Sequence, residues 1–207
     1  MYLITVRNPK GASEVRILDE MDRLQARIFQ GRLAWNVRCV DGREFDEFDE
    51  LSPTYLIALS GSKTVVGCAR LLPALGITML QAVFPELLRE GHLPAHPAMI
   101  ESSRFCADTS IEEGRGQALH EATLSMFAGI IEWSIQNGYS EIATATDVRF
   151  ERILGRAGWP MERLGVSTMI NETRSVAGVL PPDWASFQRL RPPSYTSDFI
   201  APRKQAA

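Results

Sequence analysis

Eight residues in the first half of the chain are of types that handle charge: Phe29, Trp35, Asp46, Asp49, Arg70, Phe84, Glu101 and Arg104. A carboxylate can hold a cation or take a proton. A guanidinium clamps a carboxylate through paired N–H donors. An aromatic face attracts a partly desolvated cation by about 0.5–2 kcal/mol. Taken one at a time, each has a plainer reading. Trp35 and Phe84 read as core aromatics, and Asp46 and Asp49 as solvated loop carboxylates. Glu101 and Arg104 are three apart in a predicted strand, so an ideal sheet sends them to opposite faces. They share one site only if the strand bulges or the site wraps its edge.

The elements that would position these residues follow from periodicity. Residues 2–6 read as a strand. Val15, Leu18, Met21, Leu24 and Ile28 recur at three and four, which predicts a helix over 13–31 with Ser13 as its cap. The acidic stretch 36–53 reads as a loop. A hairpin follows, with strands at 55–59 and 64–72 about a turn at 60–63. A short helix is expected over 79–91, a strand over 99–106, and a long helix over 115–136 stopped by Asn137-Gly138. Then come a strand at 140–146, a helix at 148–157, a strand at 162–180 and a last helix at 183–190. This order predicts an α/β fold, a three-layer α-β-α sandwich with a mixed sheet. One domain is expected over 1–191, with 192–207 a poorly ordered tail.

The 207 residues suffice for one sizeable core. A net charge of −3 argues against a nucleic-acid partner. Cys39, Cys68 and Cys106 are far apart and do not cluster with the histidines, so neither a metal site nor a disulfide framework is expected. No apolar run reaches the ~20 residues that span a bilayer. The start Met1-Tyr2-Leu3-Ile4 reads as strand rather than signal peptide, so a cytoplasmic protein with no membrane partner is expected.

The segments RIFQGRLAW, FDEFDELSPTYLIA, VVGCARLLP, MLQAVFPELL, IESSRF and TDVRFERILGRAGWP together resemble the LuxI-type acyl-homoserine-lactone synthases over residues 20–165. One position departs from that pattern: Gln25 stands where the family usually has arginine. Arg27, about 200° further round a helix, is no simple substitute. The resemblance implies a fold like that of the GCN5-related N-acetyltransferases. It also implies two chemical steps: the α-amine of S-adenosylmethionine attacks an acyl thioester, and its carboxylate then displaces methylthioadenosine to close a lactone. No cofactor is implied, since both reactants are substrates.

On this reading Glu101 is the general base, Ser103 holds the acyl carbonyl, and Arg104 completes the catalytic group. Phe29, Trp35, Asp46, Asp49, Arg70, Phe84 and Phe105 bind S-adenosylmethionine. Met79, Leu80, Met126 and Thr144 line the acyl pocket, with Thr144 at a position that in the family tunes recognition of the acyl 3-position. Arg149, Arg152 and Arg156 repeat at three and four and form a basic stripe. The stripe is either a solvated face or the dock for an acidic acyl carrier protein. Acyl-CoA is the other donor in the family. Gly114, Arg115, Gly116 and Ala118 suit a phosphate-holding turn, but Glu112 and Glu113 would repel phosphates, which favours the carrier protein. Two rivals remain at this point: a generic N-acetyltransferase using acetyl-CoA, and a non-catalytic sensor of acyl metabolites.

Overall fold

The computed structural model describes residues 1–32, 39–109 and 120–199. Trp35, the glycine-containing segment with Gly114, Arg115, Gly116 and Ala118, and residues 200–207 lie outside the described residues.

Along the chain run β1 (Tyr2–Val6), α1 (Ala12–Ala26), the hairpin strands β2 (Cys39–Val40) and β3 (Arg43–Glu44), β4 (Thr54–Leu59), β5 (Val65–Pro73) and α2 (Met79–Val83). Then follow β6 (Met99–Ala107), α3 (Glu121–Gln136), β7 (Glu141–Asp147), α4 (Val148–Arg156), β8 (Glu162–Arg163), β9 (Thr168–Ile170), β10 (Thr173–Leu180), α5 (Trp184–Leu190) and β11 (Thr196–Ser197). The main sheet has nine strands, in the order β11-β1-β4-β5-β6-β7-β10-β8, with β9 also on β10. It is mixed: β1/β11 and β6/β7 are parallel, and the other pairs are antiparallel.

Strand alternation sorts the apolar side chains into two layers. On β4, Leu56 and Ala58 pack with Met126, Phe127 and Ile130 of α3, while Ile57 and Leu59 pack with Met21 and Leu24 of α1 and with Ile28 just past its end. α1 thus covers one face, and α3, α4 and α5 cover the other. This is the expected α-β-α sandwich of GCN5-related N-acetyltransferase type. A third cluster, Leu80, Leu87, Leu88 and Leu93 on Met99, Ala143 and Ala177, continues the α1 layer over β6, β7 and β10. The seam between α1 and this cluster lies over β5 and β6.

Several predicted boundaries shift for identifiable reasons. Ser13 lies inside α1. Gly11 is the N-cap and has no side chain to bond, while the Glu14 carboxylate accepts the Lys10 N–H at 2.6 Å. The helix ends in a π-helical turn, Arg27–Arg32. The expected loop 36–53 contains β2 and β3, joined through Asp41 and Gly42 at φ 51° and 74°. Asp-Gly with both residues at positive φ is the preferred tight hairpin turn. It also contains a 3-10 turn, Glu47–Leu51. The single strand expected over 162–180 is three, turning at Gly165 and at Asn171 (φ 51°). A side chain at Gly165 would meet the Leu87 carbonyl at 2.3 Å, so glycine alone lets these backbones approach.

The described part of the expected tail is packed rather than loose. β11 pairs with β1, Tyr195 is buried, and its hydroxyl donates to Glu132 at 2.6 Å. The Met1 ammonium donates to the Ser194 carbonyl at 3.0 Å. A polar composition concealed this: one buried ring and a paired strand edge suffice to hold the segment.

Candidate active site

Asp46 organises the seam. It caps the 3-10 turn: its carboxylate accepts from Phe48 N–H at 2.9 Å, and Asp49 reaches back to Asp46 N–H at 2.8 Å. This reciprocal capping fixes two carboxylates side by side. Arg70, on β5, is fully buried beneath them. Its Nη1 bonds Asp49 at 2.8 Å and also Asp46, its Nη2 bonds Asp46 at 3.1 Å, and its Nε donates to Ser103 Oγ at 3.2 Å. Tyr55, opposite Arg70 in the β4/β5 register, donates its hydroxyl to Asp49. The Phe48 ring lies 5.4 Å from the Arg70 guanidinium carbon.

The strain anticipated at Glu101 and Arg104 is resolved by a bulge. Cys68 pairs with Cys106 and Arg70 with Ser103, so β6 carries one residue more than β5 between them. Arg104 takes φ 52° there. The extra residue turns Arg104 to the face of Glu101 and Ser103. Its Nη2 reaches Asp46 Oδ2 at 2.7 Å and Glu44 Oε1 at 2.8 Å, and Phe29 lies 5.7 Å from its guanidinium carbon. Both Glu101 oxygens accept backbone N–H groups at the start of α2, from Met79 at 2.9 Å and Leu80 at 2.7 Å.

The charges perturb one another. Burial pushes the Asp46 carboxyl up, but the Arg70 and Arg104 bonds and charges outweigh it and hold its pKa below the ordinary value. Burial raises Glu101 above its ordinary value, with the Leu80 and Met79 N–H groups offsetting part of the effect. Burial against the pull of Arg104 lifts Glu44 to about 7. Burial, then the neighbouring Asp49 and Glu44, lifts Asp22 to about 7.

The same bulge sends Phe105 to the opposite face, with Ser102. There a cleft is lined by Ser102, Phe105, Thr144, Phe150 and, deeper, Phe127 and Trp159. The Phe105 ring centroid lies 5.3 Å from that of Phe127 and 5.0 Å from that of Phe150, both pairs tilted, and Trp159 is fixed by an Nε1–H bond to the Pro181 carbonyl at 2.8 Å. β6 and β7 pair only from Met99↔Glu141 to Glu101↔Ala143. Beyond Glu101 the two strands are no longer laddered to each other. The sheet is open there between the charged seam and the aromatic cleft.

The structure therefore brings together Phe29, Asp46, Asp49, Arg70, Glu101, Ser103 and Arg104. It places Phe105 in the cleft with Thr144 rather than in the charged group. Phe84 packs on the cluster around Leu80 and Leu87. Met126 is buried in the core against Gly67, and Leu80 is buried beside Phe84. The Met79 thioether faces Arg70 Nη2 at 3.4 Å. Of the four expected acyl-pocket residues, Thr144 alone is among the residues lining the cleft. Gln25 is buried, its amide 3.4 Å from Cys68 Sγ, and Arg27 turns outward to pair with Asp108 at 2.7 Å. Arg149, Arg152 and Arg156 are exposed on α4, whose Phe150 and Leu154 face the cleft. Among the described residues no His, Cys, Asp or Glu group is arranged to hold a metal, and no helix is long and apolar enough to cross a membrane.

Sequence reasoning missed Glu44, Asp22, Tyr55 and the aromatic lining of the cleft. The Asp41-Gly42 pair was the available signal for Glu44, since it marks the hairpin that buries it.

Residues 10–190 match the family described as autoinducer synthase. An acyl-homoserine-lactone synthase of Rhizobium radiobacter is 56% identical over 198 residues, 95% of this chain and 93% of that one. A probable acyl-homoserine-lactone synthase of Sinorhizobium fredii is 53% identical over 208 residues, covering 100% of each. The crystal structure of TofI, in a ternary complex with an inhibitor and MTA, superposes with a TM-score of 0.75 at 25% identity, over 92% of this chain and 96% of that one.

Proposed function

The chain belongs to the autoinducer synthase family, and from that premise we propose how its residues divide the work. It is an acyltransferase that makes an N-acyl-L-homoserine lactone from S-adenosylmethionine and an acyl thioester. The observation that carries the assignment of roles is the bulge at Arg104 beside the open end of the β6/β7 ladder. It puts a charged seam and an apolar cleft on the two sides of one gap, where an amine and a thioester can meet.

S-adenosylmethionine lies in the seam. Asp46 and Asp49, fixed from beneath by the buried Arg70, face its cationic portion, Arg104 faces its carboxylate, and Phe29 and Trp35 cover the adenosine and sulfonium. An α-amine with a pKa of about 8 arrives mostly protonated at neutral pH. Glu101 takes that proton directly or through a water, its raised pKa favouring acceptance. The freed lone pair attacks the thioester carbon. Ser103 and backbone N–H groups of residues 103–105 stabilise the tetrahedral oxyanion. As it collapses the C–S bond breaks, the nitrogen gives up its second proton to become an amide, and the departing thiolate takes that proton and leaves as the donor thiol. The substrate carboxylate then attacks its own γ-carbon. The bond to the sulfonium breaks, methylthioadenosine leaves neutral, and the lactone closes.

The acyl chain occupies the aromatic cleft, with Thr144 beside its 3-position. The donor is an acyl carrier protein, docked on Arg149, Arg152 and Arg156. Support comes from α4 itself, which presents that stripe outward while its Phe150 and Leu154 wall the cleft. The reaction belongs in the cytoplasm, where the buried thiols Cys68 and Cys106 stay free.

The purified chain, given S-adenosylmethionine and an acyl thioester, is expected to release lactone and methylthioadenosine in equal amounts by mass spectrometry. Glu101→Gln is expected to lose at least about a hundredfold in kcat while still binding methylthioadenosine. An acylated amine without methylthioadenosine would point instead to a plain N-acyltransferase.

A further inference from the structure

Asp22 is a half-buried carboxylate on α1, and no described residue gives it a hydrogen bond or an ion pair. It shares a helix stripe with Gln25, Ala26 and Phe29, at spacings of three, four and seven. Those three are buried, and the Phe29 ring lies 5.7 Å from the Arg104 guanidinium. Asp22 is therefore one turn back along the stripe that lines the charged seam. Across from it stands the β2/β3 hairpin, tied to α1 through Asp19 with Arg43, and through Arg23 with the Asp41 carbonyl at 3.5 Å.

The neighbouring cations are already committed. Arg43 and Arg23 pair with Asp19, Arg70 holds Asp46 and Asp49, and Arg104 holds Asp46 and Glu44. One Glu44 oxygen is buried without a hydrogen bond, so Arg104 serves it by charge alone. Gln25, one turn on, is neutral and spent on Cys68. The titratable groups close enough to act on Asp22 by charge are then Glu44 of the hairpin, Asp49 of the turn that follows it, Asp19 on its own helix, the committed Arg43, Tyr55 on β4 and Cys68 on β5. Asp22, Glu44, Asp46 and Asp49 confront two guanidiniums. The free site is short of positive charge, and a substrate bearing an ammonium and a sulfonium supplies it.

We infer that Asp22 is a further substrate-binding residue, which takes up positive charge from the methionyl part of S-adenosylmethionine. The inference rests on the seam being the site for that substrate. It deepens that reading by naming a carboxylate that the familiar spacing of Asp46 and Asp49 does not include.

Asp22→Asn tests it, because the swap keeps shape, removes charge and breaks no hydrogen bond. Binding of three ligands to the full chain is measured by calorimetry. S-adenosylmethionine carries both cations, S-adenosylhomocysteine only the ammonium, and methylthioadenosine neither. The variant is expected to bind S-adenosylmethionine about ten- to a hundredfold more weakly and methylthioadenosine equally well. A matching loss with S-adenosylhomocysteine assigns Asp22 to the ammonium; no loss assigns it to the sulfonium. Unchanged S-adenosylmethionine affinity overturns the proposal. So does an equal loss with methylthioadenosine, which would mark a structural role. If Asn disturbs folding, Asp22→Ser repeats the same three-ligand comparison. A wild-type chain that binds none of the three removes the reading of the seam itself, a failure distinct from that of Asp22.

Discussion

Replacing Glu44 with glutamine should make the protein more stable in mild alkali and change it little in mild acid. Glu44 is 1% exposed, and its carboxyl is lifted from an ordinary 4.5 to about 7, chiefly by burial, with Arg104 pulling the other way. Between those two values the folded chain holds a proton that the unfolded chain has released. Folding therefore binds protons in this window, and stability falls as pH rises through it. Above pH 7 the folded state carries the whole cost of a buried charge, about 3 kcal/mol at 1.36 kcal/mol per unit. Near pH 5 the cost is under about 1 kcal/mol, because the folded carboxyl is neutral and the unfolded one only partly ionised. Glutamine has the same shape and no charge to bury. At pH 8 the Glu44→Gln variant should melt roughly 6–12 °C above the parent, with a gap of at most a few degrees at pH 5. Scanning calorimetry at both pH values reads this directly. A variant that melts below the parent at pH 8 would refute the reasoning, since Glu44 would then be held ionised by Arg104 in a net favourable pair. The added stability should come with weaker catalysis, because Arg104 loses a charge that holds it in the seam.

Asp46→Ala should cost about 3–5 kcal/mol and lower the melting temperature by roughly 10 °C. It leaves the fully buried Arg70 with Asp49 as its one remaining carboxylate partner and removes the cap from Phe48 N–H. A loss under about 1 kcal/mol would show that the arginines re-pair with other groups. Arg152→Glu should raise the Michaelis constant for carrier-bound acyl groups about tenfold and leave that for acyl-CoA unchanged, since one reversed charge in an exposed stripe acts on docking rather than chemistry. Equal effects on both donors would remove α4 as the dock.

The layers of the fold were legible because α1, α3 and the strands each bury a regular stripe, and Asn137-Gly138 ends α3 where its left-handed glycine (φ 79°) requires. What stayed hidden depends on single contacts that leave no period. β2 and β3 are two residues each, and only their Asp-Gly turn marks them. β11 is held by the N-terminal strand, 193 positions away in sequence for Met1 and Ser194, so no local pattern announces it. The stretch 162–180 reads as one strand because the first break, at Gly165, is set by the distant Leu87 carbonyl and the second, at Asn171, by a left-handed backbone, neither of which the local pattern marks.

The site was half legible for a related reason. Residue types marked Asp46, Arg70, Glu101 and Arg104, and alternation correctly warned that the last two conflict. Which way the conflict resolves depends on one inserted residue in β6, and that register is set by β5, not by β6 itself. The bulge has two consequences at once. It turns Arg104 toward Asp46 and Glu44, and it turns Phe105 toward Phe127 and Phe150. A reading that fixes the strand as ideal must misplace one of them, and counting Phe105 with the charged group did so. Charge and apolar surface cannot share a small pocket without one desolvating the other. Strand β6 separates them by sending side chains to opposite faces, and the lapse of its ladder with β7 past Glu101 leaves the sheet open between the two.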